Sequence, residues 1–218
     1  MAQVISRERR KYRARASPSF LVLASVGLIA LGFFYSYAVP YFSLNETTFG
    51  PYAWPRRRPL LLHLAAGSVA LLVGPAQLWL GLTGSRPQWH RRLGFTYLAS
   101  VLASSLAAFY LLARSEVGLV FQTGIAGLAC AWLVTTGLAF VAIRRGLVEQ
   151  HREWMVRSYV VTTAFVTFRA LSSLLAALQV GTADEQVGLA SWFCWAAPLL
   201  VTEAVMQSRK MFLSDQFR

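Results

Sequence analysis

Six long apolar stretches run through this chain, and away from their borders only two charged residues, Arg169 and Glu203, lie within them. A helix needs about 20 mostly apolar residues to cross the hydrocarbon core of a bilayer. Each stretch reaches that length, and 56% of the residues in the chain are hydrophobic. We therefore predict an all-α fold, a polytopic transmembrane helical bundle of six spans.

The connectors between the stretches contain Pro, Gly and charged residues, as segments that interrupt helices do. We place the spans at residues 20–42, 59–82, 93–113, 118–143, 155–178 and 188–207. Residues 19–208 are then predicted to form one membrane domain, between a basic tail at 1–18 and a second tail at 209–218. The first stretch follows a basic tail, as in a signal peptide, but it lacks a convincing cleavage site, so we predict a retained span.

The distribution of Lys and Arg predicts the orientation, because these residues accumulate in short cytoplasmic loops. Sixteen of them lie in the two tails and in segments 83–92 and 144–157. The opposite side has four, which are Arg56, Arg57, Arg58 and Arg114. Both termini are therefore predicted to be cytoplasmic. The formal net charge of +12 borders the spans instead of covering a soluble face, so the predicted partner is the lipid bilayer and not a nucleic acid.

The two cysteines, Cys130 and Cys194, fall within apolar spans and lack the spacing of a metal or disulfide site. We predict that both are small buried apolar residues. The sequence contains no phosphate-binding glycine loop, no zinc-protease pair of histidines and no serine nucleophile elbow. Catalytic residues are therefore not predicted, and whether the protein is an enzyme stays open.

The three histidines lie near predicted borders of spans. His63 is about one turn into the second span, at the outer border, whereas His90 and His151 directly precede the third and fifth spans at the inner border. The helix from His63 to its inner end is roughly 25–30 Å long at about 1.5 Å per residue. Three histidines so far apart are not predicted to share one metal ion, and we assign no residue to a metal site.

His90 and His151 are predicted to begin two parallel helices at the same depth. Their imidazoles could then face each other across a haem iron, which needs few other protein ligands, or share a smaller metal ion. Arg157 would compensate the charge of such a group. The other interpretation is that both are interfacial histidines, which bond to lipid headgroups or to neighbouring carbonyls.

Further polar residues are predicted to line the interior, because ionisable groups at membrane depth are costly and face the protein or water. They are His63, Gln77, Gln122, Arg169 and Glu203. Arg169 is roughly 20 Å from the inner border, too deep to reach water there. It follows Ser158 and Thr162, and precedes Ser173, on one helical stripe that we predict to face the interior. Two roles stay open for Arg169: bonding to carbonyls of adjacent helices and binding an anionic group.

A set of short motifs resembles a prokaryotic family of predicted multi-span membrane proteins, domain of unknown function 2306. The motifs are His63-x-x-x-Gly67, Gly74-Pro75-x-Gln77, His90-Arg91-x-Leu93-Gly94-x-x-Tyr97, Thr135-Thr136, and His151-x-x-Trp154-Met155-x-Arg157-Ser158-Tyr159 with Arg169. The resemblance covers roughly residues 59–175. It implies a membrane domain in the inner membrane of a bacterium and signature positions at His63, Gln77, His90, His151, Arg157 and Arg169. It implies no reaction.

Two functions from different classes stay open. The first is a membrane redox protein that binds one b-type haem or a quinone near the cytoplasmic border, through His90, His151 and Arg157. The second is a non-enzymatic protein, either a transporter of a small solute or lipid with a polar path along Gln77, Arg169 and His63, or a membrane scaffold. Partner proteins and self-association of the chain stay open in both.

Overall fold

A computed structural model of the chain describes residues 20–215, and these residues form helices without any strand. The basic tail predicted at 1–18 lies outside the described residues. The helices are α1 (Phe20–Ser43), α2 (Glu46–Ala53), α3 (Arg57–Thr83), α4 (Pro87–Leu112), α5 (Leu119–Arg144), α6 (Val148–Thr162), α7 (Ala164–Ala177) and α8 (Ala183–Asp215). α1 ends in a π-helical turn at Phe34–Ala38 and a 3-10 turn at Val39–Ser43.

Six helical segments of the described chain are long and apolar enough to cross a membrane. They are Phe20–Ser43, Glu46–Thr83, Pro87–Leu112, Leu119–Arg144, Val148–Ala177 and Ala183–Phe212. The predicted all-α fold with six spans is confirmed. The orientation of the termini stays a prediction.

Three helices extend beyond the boundaries that hydropathy predicted. α4 begins at Pro87 instead of residue 93, and α6 begins at Val148 instead of residue 155. α8 continues to Asp215, so part of the predicted carboxyl tail is helical. The physical reason is that hydropathy marks only the apolar part of a helix, whereas backbone hydrogen bonds continue past it. His90 and His151 consequently lie within the first turns of α4 and α6 instead of preceding them.

The described residues divide into two compact units, one up to Ser104 and one from Ser105 onward. In the first unit, α3 and α4 run antiparallel. Three pairs of residues show the register: Gln77 lies against Gly94, Gly81 against His90, and Gly67 against Ser104. A Cβ atom at Gly94 would be 2.7 Å from Nε2 of Gln77, and one at Gly67 would be 3.3 Å from Oγ of Ser104. Glycines at these positions let the two helices approach closely, as in other membrane helix pairs.

In the second unit, α5 and α8 run parallel to each other, and α6 and α7 run antiparallel to both. Ser191 and Trp195 of α8 lie against Gly124 of α5, where the indole Nε1 of Trp195 donates a hydrogen bond to the Gly124 carbonyl at 3.2 Å. Thr136 of α5 and Ser158 of α6 share a hydrogen bond between their hydroxyls at 2.7 Å. Polar contacts therefore help to hold these helices together, because in a membrane the hydrophobic effect does not favour contact between helices over contact with lipid.

The fifth span is interrupted at Thr163, which separates α6 from α7. In this interruption the Thr163 backbone N–H donates to both Tyr159 O, at 3.1 Å, and Val160 O, at 3.2 Å. The stripe that was predicted to face the interior is therefore divided between α6 and α7. Ser158 and Thr162 on α6 are buried, Arg169 on α7 is half-buried, and Ser173 is exposed. The prediction was wrong for Ser173, because the break changes the direction in which the following residues face.

The prediction that both cysteines are buried was wrong for one of them. Cys194 of α8 is buried, whereas Cys130 of α5 is exposed. A helix with apolar residues all round has the same composition on its buried and exposed faces. Composition therefore could not distinguish the face of α5 that carries Cys130 from the face that packs against other helices.

A proline in α8 explains a hydrogen bond between α7 and α8. Pro198 has no backbone N–H, so the carbonyl of Cys194, four residues earlier, loses its intrahelical donor. The hydroxyl of Thr167 on α7 donates to that carbonyl at 2.6 Å. The contact satisfies a backbone group at a depth where water is scarce.

We expect Thr167→Val to lower the free energy of unfolding by about 1–2 kcal/mol, because it leaves the Cys194 carbonyl without a donor at nearly constant side-chain volume. The measurement is unfolding of the purified protein in mixed micelles with increasing sodium dodecyl sulfate. Thr167→Ser keeps the hydroxyl and serves as the control. An equal loss in the valine and serine variants would assign the effect to packing and contradict this role.

Candidate functional site

The first candidate residue, His151, is held by the backbone of a neighbouring helix. It lies in the first turn of α6, and its Nδ1 is 2.9 Å from the carbonyl oxygen of Ala139 on α5. A carbonyl accepts only, so Nδ1 donates in this contact, and in the neutral ring the lone pair is on Nε2. Histidines that bind metals usually donate their other N–H to a carbonyl or carboxylate in this way.

Arg157 lies on another face of α6, where it is buried and paired with acidic residues. Its Nη2 and Nε are 2.6 and 2.8 Å from Oε2 of Glu203 on α8. Its Nη1 is 3.6 Å from Oε2 of Glu153, one turn earlier on α6. The guanidinium carbon is also 4.8 Å from the centroid of the Trp154 ring. The positive charge of Arg157 is thus balanced by carboxylates within the second unit.

The carboxylates have further partners on α8. Lys210 Nζ lies 2.7 Å from Oε1 of Glu153, and Gln207 Nε2 donates to Oε1 of Glu203 at 2.6 Å. We call these residues, Glu153, Arg157, Glu203, Gln207 and Lys210, the α6–α8 charge cluster. Two cations and two carboxylates make the cluster neutral, and its bonds join α6 to α8 near the end that the charge count predicts to be cytoplasmic.

The face of α6 that contacts α5 carries a row of hydrogen bonds. His151 bonds to the Ala139 carbonyl, Ser158 to Thr136, and Thr162 accepts from Trp132 Nε1 at 2.9 Å. Residues 151, 158 and 162 recur at helical spacing, so they share one side of α6. The row fixes the rotation of α6 and with it the direction of the His151 ring.

His63 is joined to Ser104 by a reciprocal contact in the first unit. His63 Nδ1 is 3.0 Å from the Ser104 carbonyl oxygen and also from its hydroxyl, and that hydroxyl is 3.1 Å from the His63 carbonyl oxygen. Gly67, one turn later, provides the space for Ser104. The motif His63-x-x-x-Gly67 is therefore explained by the close approach of α3 and α4.

Gln77 is buried in the first unit, with 5% of its surface exposed. Its Oε1 accepts no hydrogen bond from the described residues. Gly81, one turn later on the same face of α3, lies against the ring of His90: a Cβ atom at Gly81 would be 3.3 Å from His90 Cε1. Gln77 and His90 consequently contact the same stretch of the α3–α4 interface.

The remaining predicted residues have different surroundings. Gln122, near the start of α5, donates from Nε2 to the carbonyls of Ser115 and Val117, at 3.2 and 2.7 Å, and so closes the preceding turn. Arg169 is half-buried on α7, with its guanidinium carbon 5.9 Å from the centroid of the Phe165 ring. His90 belongs to the first unit and His151 to the second. Their predicted shared site stays a prediction.

Sequence reasoning missed several residues that the structure brings into contact. Glu153 pairs with Arg157 at a spacing of four residues, and that spacing on a helix was a usable signal. Ser104, Trp132 and Lys210 had no comparable signal, because their partners are distant in the sequence. Among the described residues, no group of three or more His, Cys, Asp or Glu side chains could hold a metal ion.

In the described part of the chain, six helical segments of membrane-spanning length, joined by polar contacts between helices, define a polytopic α-helical membrane protein. The family model described as predicted membrane protein (DUF2306) matches residues 60–206, more than half of the chain. The chain belongs to that family. The match extends beyond the motifs recognised in the sequence and includes Glu203. Comparison with curated proteins and with solved structures gives no match.

Proposed function

We propose that the protein is a membrane redox protein that binds one b-type haem, or a quinone, near the border predicted to be cytoplasmic. The observation that carries the proposal is the contact between His151 Nδ1 and the Ala139 carbonyl, at 2.9 Å. This contact fixes the tautomer and orients Nε2, which is the nitrogen that an iron ligand or an acceptor for a quinol hydroxyl needs.

The surroundings of His151 support a stable position of the ring. The hydroxyl contact between Ser158 and Thr136 and the contact between Thr162 and Trp132 hold the same face of α6 against α5. The pairing of Arg157 with Glu203 holds another face of α6 against α8. A ligand that sits on a helix fixed from two sides keeps its geometry when the redox state of the bound group changes.

The test is the absorbance spectrum of the detergent-purified protein from haem-supplied cells, first oxidised and then reduced with dithionite, together with analysis of an organic extract for quinones. We expect a Soret band that shifts on reduction, or a co-purified quinone. His151→Ala should abolish whichever signal is found, and His90→Ala should test the second predicted ligand in the same way.

His63→Ala is the matched control, because it removes a histidine whose Nδ1 also lies against a carbonyl but which was predicted at the opposite border. It should keep the signal. If a folded protein with adequate haem supply gives neither a haem spectrum nor a quinone, or if His151→Ala keeps the signal unchanged, the proposal is wrong. The transporter and scaffold functions then become the alternatives to test.

A further inference from the structure

Three consecutive arginines lie at the amino end of α3: Arg56 directly precedes the helix, and Arg57 and Arg58 are its first two residues. Arg56, Arg57 and Arg58 make up three of the four positive residues on the side predicted to be outer. Positive residues on that side oppose the usual charge bias of membrane proteins. The orientation of the spans therefore does not explain them, and their local structure gives another reason for their presence.

The segment before these arginines has a defined fold. Asn45 opens α2 by accepting a hydrogen bond at Oδ1 from the Thr47 N–H at 3.0 Å. Gly50, with φ of 69°, then breaks the helical path, and Pro51 follows it directly. The buried ring of Phe49 packs edge-on against Tyr41 and Trp54, with centroid distances of 5.1 and 5.6 Å. This aromatic packing holds the segment before the arginines in one conformation.

Two of the arginines stack on aromatic rings of this segment. The guanidinium carbon of Arg56 is 4.5 Å from the centroid of the Tyr52 ring, and Nη1 donates to the Tyr52 carbonyl at 2.7 Å. Arg57 repeats the arrangement on Trp54, with 4.4 Å to the centroid and a hydrogen bond of 3.1 Å to the Trp54 carbonyl. A guanidinium that is stacked and hydrogen-bonded in this way has a fixed plane, and its donors are arranged in a planar fork.

The local electrostatics favour an anion. α3 begins at Arg57, and no acidic residue lies in its first turn. The amino end of a helix adds a partial positive charge of its own. Arg58 is exposed, so its side chain is accessible at the surface. We call Tyr52, Trp54 and the three arginines the arginine platform.

We propose that the arginine platform binds the phosphate group of an anionic phospholipid. The arginine fork matches the geometry of phosphate oxygens, which a point charge does not do. A lipid is favoured over a soluble phosphate because the platform lies at the end of a membrane-spanning helix, among aromatic residues of the kind that occupy the headgroup region. The proposal is independent of the redox function.

The test measures binding of dioleoylphosphatidylglycerol to the delipidated full-length protein in detergent, by native mass spectrometry over a lipid titration. Dioleoylphosphatidylcholine is the comparison lipid. We expect phosphatidylglycerol to bind at least about tenfold more tightly, and the variant R56Q/R57Q/R58Q to lose about tenfold in affinity for it. Equal binding of the two lipids, or an unchanged affinity in the variant, would overturn the proposal.

Two further variants separate a built site from general attraction. R144Q/R145Q removes two neighbouring exposed arginines at the carboxyl end of α5 and should leave the affinity nearly unchanged. R56K/R57K/R58K keeps the charge but removes the planar forks, and it should weaken binding about fivefold. If the lysine variant binds as well as the native protein, or R144Q/R145Q loses as much as R56Q/R57Q/R58Q, the arginine platform is not a specific site.

Competition with inorganic phosphate tests whether the anion that binds is a lipid headgroup or soluble phosphate. Inorganic phosphate should fail to displace phosphatidylglycerol at equal concentration, because the lipid also contacts the membrane-facing surface. Displacement at equal concentration would assign the platform to soluble phosphate and overturn the lipid proposal. If the glutamine variant does not fold, the lysine variant and the comparison of the two lipids decide the outcome.

Discussion

Gly124→Ala is expected to destabilise the folded protein by about 3 kcal/mol, at the upper end of the range for overpacking. A Cβ atom at position 124 would collide with the side chain of Ser191 and would lie 2.9 Å from its backbone carbonyl carbon. Rotation about χ1 could move the Ser191 hydroxyl, but its Cβ atom, which would be 2.8 Å away, cannot move without displacing the backbone of α8. The added methyl group therefore pushes α5 and α8 apart over the whole contact.

The measurement is the same detergent-based unfolding titration, and Gly137→Ala provides a control on the same helix. Gly137 is exposed and has no atom within 4 Å of an added Cβ. Since alanine favours a helix over glycine, the control should be neutral or stabilising by up to about 1 kcal/mol. If the two variants behave alike, the close contact between α5 and α8 is contradicted.

The second large effect is expected for Arg157→Ala, which should lower the free energy of unfolding by about 2–3 kcal/mol. Removing one partner of a buried ion pair costs about 3–5 kcal/mol, because the other charge is left behind without compensation. The Glu203 side chain is 40% exposed and water can solvate part of it, so we expect a smaller value here. Glu153, at 22% exposed, retains Lys210 as a partner.

Arg152→Ala is the matched control for this prediction. Arg152 lies on the same helix and pairs with Glu149 at 3.3 Å, but both side chains are more than half exposed. Its loss should cost less than about 0.5 kcal/mol. A double-mutant cycle of Arg157→Ala and Glu203→Ala then isolates the coupling between the pair. A coupling near zero would mean that the ion pair does not hold α6 against α8.

The six spans could be predicted from the sequence because the thickness of the bilayer sets a minimum length of apolar residues. The beginnings of α4 and α6 could not, since their first turns contain polar residues that a helix tolerates outside the apolar core. The break at Thr163 also had no strong signal, because neither Pro nor Gly occupies that position. Proline and glycine are the residues that usually mark such interruptions.

The candidate residues show the same limit. Arg157 and Glu203 were each identified as candidates in the sequence, but their pairing across 46 positions of sequence depends on how α6 packs against α8. The bond between His63 and Ser104 likewise depends on the register of α3 and α4. The motif of His63 and Gly67 marked these positions in the sequence, but it did not identify Ser104 as their partner. Periodicity identifies faces of helices, whereas contacts between faces require the tertiary structure.

The interruption at Thr163 and the proline at position 198 have a shared mechanical consequence. Thr167, one turn after the interruption, bonds to the carbonyl that Pro198 leaves without a donor, so the two irregularities lie at one depth in neighbouring antiparallel helices. Each removes part of the regular ladder of hydrogen bonds that gives a helix its stiffness. The second unit should therefore bend most easily at this level, where the Thr167 hydroxyl joins α7 to α8.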